Sequence, residues 1–214
     1  VLLELTHNQV LSPKTGMLCF AAAAASVNNL KATEHAVRYS LNHELVRSEE
    51  LYEALLQTYL FAGFPAALES LSILYNYVQN KHSNPTSSHL YPVDEYRVRG
   101  ESLCAEIYTN VYEKMRRKLG KISPDLDQWM IIEGYGKTLS RPGLETKVRE
   151  LLSATSLAAM GWENQCYSHV RGALNVGATQ KECRALLPII RHLSSVRRSN
   201  MAQKIIDNVL ETLS

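Results

Sequence analysis

Apolar side chains recur at intervals of three and four along nearly the whole chain, and the two-residue alternation and Asn-Gly or Asp-Gly turns of strands are missing. A chain with that period buries its apolar stripes by packing helix on helix, so the expected class is all-α. Start and stop signals agree. Ser48 followed by Glu49 and Glu50 sets acids against the positive end of a helix dipole and leads into LYEALLQTYLFAG, after which Gly63 and Pro65 stop one helix and start another. Ser123-Pro124 reads as an N-cap with proline in the first turn, opening a helix through Leu139. Thr179 and Glu182 have capping-box spacing, and Gly177 ends the helix before them.

The 214 residues, 45% hydrophobic and 21% charged, can bury a substantial core without metals or disulfides, which excludes a disordered chain. The longest nearly uncharged apolar run, Met17 to Val27, is about half the length needed to cross a bilayer, so no membrane span or secretory signal is expected. A net charge of +2 is too balanced for phosphate-backbone binding, and nucleic acid is not an expected partner. The basic runs Lys114 to Lys121 and Arg191 to Arg198 read as solvated helix faces. Cys19, Cys104, Cys166 and Cys183 are far apart with no zinc-type spacing, which suits a reduced, cytoplasmic protein. The histidines show no ligand spacing and no phosphate-cradling glycine motif occurs, so neither a metal site nor a cofactor is expected.

Between Asn80 and Val93 the polar stretch NKHSNPTSSHLYPV has two prolines and no apolar period, and it divides the chain into 1–79, a connection at 80–93, and 94–214. Across it, VRYSLNHEL at Val37 to Leu45 lines up with VRGALNVGA at Val170 to Ala178, an offset of 133 residues. The same register sets KTGMLCFAAAAASVNNL over KVRELLSATSLAAMGWE, with small residues at Ala21 to Ala25 and at Ala154, Ala158 and Ala159 that permit close helix approach. A duplicated helical unit is the economical reading, with the two units packed on each other.

The second half carries Arg141-Pro142-Gly143-Leu144, Arg149-Glu150-Leu151, Leu157-Ala158-Ala159 and His169-Val170-Arg171-Gly172-Ala173-Leu174, followed by Gly177-Ala178-Thr179. This run, Tyr135 to Glu182, resembles the carboxymuconolactone decarboxylase family, part of the alkyl-hydroperoxidase-like superfamily. YLFAGFPAAL at Tyr59 to Leu68 looks like the stretch that closes the family's domain, and Arg99 to Trp129 is similar to the connecting helices of two-repeat members. The resemblance implies a duplicated multi-helix bundle. It also implies self-association in rings, with a two-repeat chain forming a homotrimer that mimics a hexamer. The superfamily's peroxidases place a Glu ahead of Cys-x-x-Cys-x-x-x-His. Aligned on His169, the relay Glu is Glu150, but the cysteine positions hold Trp162 and Gln165, which form no thiolate. In the first unit Met17 and Ala36 stand opposite Glu150 and His169, with His35 one residue aside, so any site belongs mainly to the second unit.

Trp162, Cys166, His169 and Ala173 fall on one helix face, either as a pocket wall with His169 as an acid or base or as core packing. Glu150 lies among Leu and Ala, as a proton partner of His169 or as an ordinary helix carboxylate. Arg141, before Pro142-Gly143, suits a carboxylate clamp or a structural ion pair, and Arg171 has the same two uses. The candidate catalytic residues are therefore His169, Glu150 and Cys166, and the candidate substrate-binding residues are Arg141, Arg171, Trp162 and Gln165. Tyr52/Tyr59 and Tyr108/Tyr112 share helix faces and read as core or subunit contacts rather than pocket lining. Three functions fit: a cofactor-independent lyase acting on a small carboxylated lactone or similar acid, a peroxidase using Cys166 as a lone thiol, and a non-catalytic oligomeric binding protein.

Overall fold

The structure, a computed structural model, describes residues 2–7, 10–79 and 90–212. Among these every regular element is a helix: α1 Leu2–Thr6, α2 Pro13–Ser26, α3 Leu30–Asn42, α4 Ser48–Leu56, α5 Tyr59–Gln79, α6 Val93–Tyr108, α7 Tyr112–Ile122, α8 Pro124–Trp129, a π-helix at Met130–Leu139, α9 Thr146–Met160, α10 Glu163–Asn175, α11 Gln180–Arg184, α12 Leu187–Leu193 and α13 Val196–Thr212. The all-α expectation holds.

Local chemistry sets most of the ends. The Ser123 side chain accepts from the Leu126 N–H with Pro124 in the first turn of α8. Thr179 and Glu182 close a reciprocal capping box on α11, and Gly177 ends α10 with φ of 95°. Two long helices read from the sequence are interrupted. The helix begun at Ser48 breaks at Gln57–Thr58, where the Thr58 hydroxyl turns back to donate to the Leu55 carbonyl at 2.6 Å, and α5 is kinked at Gly63, whose φ is 82°. The helix expected from Ser123 to Leu139 leaves α geometry at Met130 and continues as ten residues of π-helix. Of the connection expected at 80–93, residues 80–89 lie outside the described residues; 90–92 are non-helical and Val93 already opens α6.

Two helices form the centre. Every residue from Thr15 to Ser26 on α2 and from Val148 to Ala159 on α9 is buried, and the two pack on one another through alanines, so the backbones come close. α3, α4 and α5 cover α2, while α10, α12 and α13 cover α9, and one apolar cluster runs through both groups. Each fully buried leucine in it, such as Leu18, Leu151 and Leu152, is stabilising by about 2 kcal/mol on transfer from water. The bounds of α2 and α3 recur 133 positions later in α9 and α10, with α9 one residue longer at its C-terminal end. Ion pairs follow the same pattern: Lys14 meets Glu50 at 3.1 Å and Lys147 meets Glu182 at 3.2 Å, each Glu also capping its own helix.

A second, smaller cluster joins α6 to the π-helix through Leu103, Cys104, Ile107, Ile131, Tyr135 and Leu139. Here the backbones touch: a Cβ on Gly100 would run into the Ile131 carbonyl, and one on Gly136 into the Tyr96 carbonyl. This layer lies against α10.

Candidate functional site

α9 ends at Gly161, in the left-handed conformation with φ of 91°, and the next helix starts two residues later, so α9 and α10 fold back on each other. That hairpin brings Glu150 and His169 together. His169 Nδ1 lies 2.9 Å from Glu150 Oε2, with Glu150 1% and His169 6% exposed. The pairing needs a bare backbone on α10. A Cβ on Gly172 would stand 2.5 Å from Glu150 Oε2 and 2.8 Å from Ile107 Cγ2, so glycine leaves the space in which the carboxylate sits. Phe61 from α5 meets the imidazole edge-to-face at 5.4 Å. Glu150 Oε1 is buried and has no hydrogen-bond partner among the described residues. A buried carboxylate oxygen left this way is costly, and it retains the capacity to accept a hydrogen bond.

Such a pair handles protons. The carboxylate fixes the imidazole's orientation through Nδ1, leaving Nε2 as the atom that can give or take a proton. The first half has no counterpart among the described residues, because Met17 and Ala36 are fully buried apolar side chains and His35 is exposed.

The other candidate residues are placed differently. Trp162 is 54% exposed and does not wall the site; it precedes the first turn of α10 with φ of −85° and ψ of 86°, so helical spacing to His169 does not apply to it. Gln165 is exposed on the outer face of α10. Cys166 is buried, and burial pushes its thiol up to about 12. At neutral pH that leaves a thiolate fraction of about one in 10⁵. Native protein treated with hydrogen peroxide or a maleimide is accordingly expected to show no added mass at Cys166, whereas the urea-unfolded chain reacts at once; an adduct on the native fold would contradict the burial.

Arg141 takes the structural alternative. Its Nε and Nη2 donate to both oxygens of Glu53 at 2.8–3.1 Å, so its fork is already engaged. Arg149, missed by sequence reasoning, donates to the same Glu53 at 2.8 Å and to the Arg141 and Pro142 carbonyls at 3.0 and 3.1 Å, while Gln57 bonds its backbone and side chain. A buried Glu, Arg and Gln inside apolar helices is the signal that could have pointed to this cluster. Arg171 lies two residues past His169, about 200° around α10 and so off the dyad's face. Its Nε is buried without a partner among the described residues.

A tyrosine pair joins α6 to the π-helix: Tyr108, read from the sequence as a core or subunit contact, and Tyr135, which the sequence reading did not single out. Tyr135 of the π-helix is buried and donates to the Tyr108 hydroxyl at 3.0 Å. Burial first pushes both phenols well above their ordinary range, followed by the Glu150 charge for Tyr108 and by Tyr108 and then Glu150 for Tyr135. Tyr112 instead accepts from Arg116 at 2.7 Å beside the Arg116–Asp127 pair, away from the dyad chemistry.

A family model described as the carboxymuconolactone decarboxylase family matches residues 124–194. A 4-carboxymuconolactone decarboxylase of Acinetobacter baylyi is similar to this chain, 27% identical over 95 residues that cover 44% of the chain and 71% of that relative. The family match begins at α8 and runs through α12, with Glu150 and His169 both inside it. Fold, matched stretch and relative agree, and residues 124–194 form a carboxymuconolactone decarboxylase family domain.

Proposed function

We propose that this protein is a cofactor-independent lyase that decarboxylates a small carboxylated lactone or a related acid. The observation that carries the reading is the buried Glu150–His169 pair with one carboxylate oxygen unpartnered. In the proposed step the bond between the substrate's carboxylate and its ring carbon breaks, carbon dioxide leaves, and the electron pair passes into a conjugated carbonyl. His169, as an imidazolium supported by Glu150, then gives a proton to carbon, and solvent returns one to the ring. The substrate's charge is dispersed as CO₂ forms, so a site walled by Phe61 and closed to bulk water favours the product side of that step. Arg141 drops out of the scheme as a clamp, because Glu53 already occupies it. The depth and raised pKa of Cys166 weigh against the lone-thiol alternative.

The similar protein's name supplies the first compound to try. Incubated with 4-carboxymuconolactone in D₂O, the protein is expected to release one CO₂ per product and to place one deuterium on a ring carbon of the conjugated enolate that the loss of CO₂ leaves. Absence of CO₂ from this and from other carboxylated lactones would overturn the reading, and a His169→Gln variant that still places deuterium on carbon at the wild-type rate would remove His169 from the proton-delivery role.

A further inference from the structure

The dyad explains where a proton comes from but not what receives the electron pair. A decarboxylation run without a cofactor needs a hydrogen-bond donor at the carbonyl oxygen on which negative charge accumulates. A candidate donor lies on α6, which packs against the helix that carries His169. Tyr108 ends α6, half-buried, and its oxygen accepts from Tyr135. With that lone pair engaged, its own O–H is left to donate, and no acceptor for it is present among the described residues. The Tyr135 and Tyr108 rings meet edge-to-face at 78°. Their arrangement depends on unusual backbone. Tyr135 is carried on the ten-residue π-helix, a geometry that is rare and concentrated at functional sites. Thr109, directly after Tyr108, has φ of 47° and ψ of −123°, a strained conformation for a β-branched residue.

The position relative to the dyad is set by α10. The point occupied by a Gly172 Cβ would be within 2.5 Å of Glu150 and 2.8 Å of Ile107, and the Asn175 side chain donates to the Ile107 carbonyl at 2.8 Å. The residue next to Tyr108 is thus pinned at the crossing that holds the carboxylate. Buried phenols beside a carboxylate stay protonated, which keeps both as donors.

Building on the proposed lyase reaction, we propose that Tyr108 is a catalytic residue that hydrogen-bonds the substrate carbonyl oxygen as it becomes an oxyanion, and that Tyr135 is the positioning residue that holds it. The phenol keeps its proton throughout. It stabilises the enolate formed when CO₂ departs, and the carbonyl reforms when His169 protonates carbon.

The test uses two compounds. With 4-carboxymuconolactone, Tyr108→Phe is expected to lower kcat about 100-fold while KM moves by less than about 3-fold, and Tyr135→Phe to lower kcat about 10-fold. With γ-carboxy-γ-butyrolactone, a saturated lactone acid that has no conjugated sink, isotope-edited infrared difference spectra read the ring carbonyl directly. Its stretch is expected to move to lower frequency on binding to wild type and to His169→Gln, and to stay at its solution value on Tyr108→Phe. Wild-type turnover combined with an unchanged Tyr108→Phe rate, or a carbonyl shift that survives in Tyr108→Phe, overturns the tyrosine assignment and leaves the lyase reading intact. If wild type neither binds the saturated acid nor releases CO₂ from the unsaturated one, the lyase reading fails and the tyrosine assignment with it. Circular dichroism melts of both variants exclude a folding defect as the cause of a lost rate.

Discussion

Replacing Glu53 by alanine is expected to cost the fold about 3–5 kcal/mol. Its carboxylate is 5% exposed and is the shared partner of two guanidiniums, Arg141 and Arg149. Arg149 is the more deeply placed, and burial already pulls it below the ordinary arginine range while Glu53 works in the opposite direction. Without the carboxylate, two like charges would face each other in a region that water does not reach. The remaining bonds from Arg149 to the Arg141 and Pro142 carbonyls and to Gln57 would satisfy N–H groups but not the charge. The loss is expected as a lower urea midpoint at unchanged slope. Glu53→Ala combined with Arg149→Met is expected to recover part of it, since breaking a buried pair is worse than replacing it with apolar volume. A midpoint within error of wild type for Glu53→Ala would show that the cluster is hydrated. The cluster also matters for the site, because it ties α4 and the Arg141–Pro142 turn to α9 at Arg149, one residue before Glu150.

Glu150→Gln is expected to lower kcat for decarboxylation by about 10³–10⁴-fold with the fold retained, and His169→Gln by about 10²–10⁴-fold. The amide has the shape of the carboxylate and can still accept from the imidazole N–H, so packing around Gly172 is preserved. What it lacks is the negative charge that makes an imidazolium affordable in a site this deeply buried. Loss of rate without loss of melting temperature is therefore the signature of a proton-handling dyad. A buried ion pair with only a structural role would show the reverse. Rates of CO₂ release and thermal melts on the same samples separate the two, and a Glu150→Gln rate within tenfold of wild type would dismiss the dyad from the chemistry.

Whatever depends on neighbours a few residues away is legible from the residues alone. Helical class, the caps at Ser123-Pro124 and Thr179/Glu182, and the stop at Gly177 are all set by side chains and backbone groups within one turn, and they stand where the sequence placed them. The pairing of Glu150 with His169 was visible only as a family pattern, because nothing local brings residues 19 positions apart to 2.9 Å. Tertiary structure decided the rest. An apolar period of three to four is nearly the same for α and π geometry, so the switch at Met130 is legible only through the Gly100–Gly136 crossing, which links segments far apart in the chain. Trp162 follows the heptad-like spacing of its helix yet projects outward, because it stands before the first turn. Cys166 and Arg141 kept the chemistry expected of their types but lost the roles, one to burial and the other to a carboxylate 88 residues away. The physical reason is common to all of these: propensity and capping act through contacts along the backbone, whereas burial, charge pairing and helix crossing depend on which distant surfaces meet.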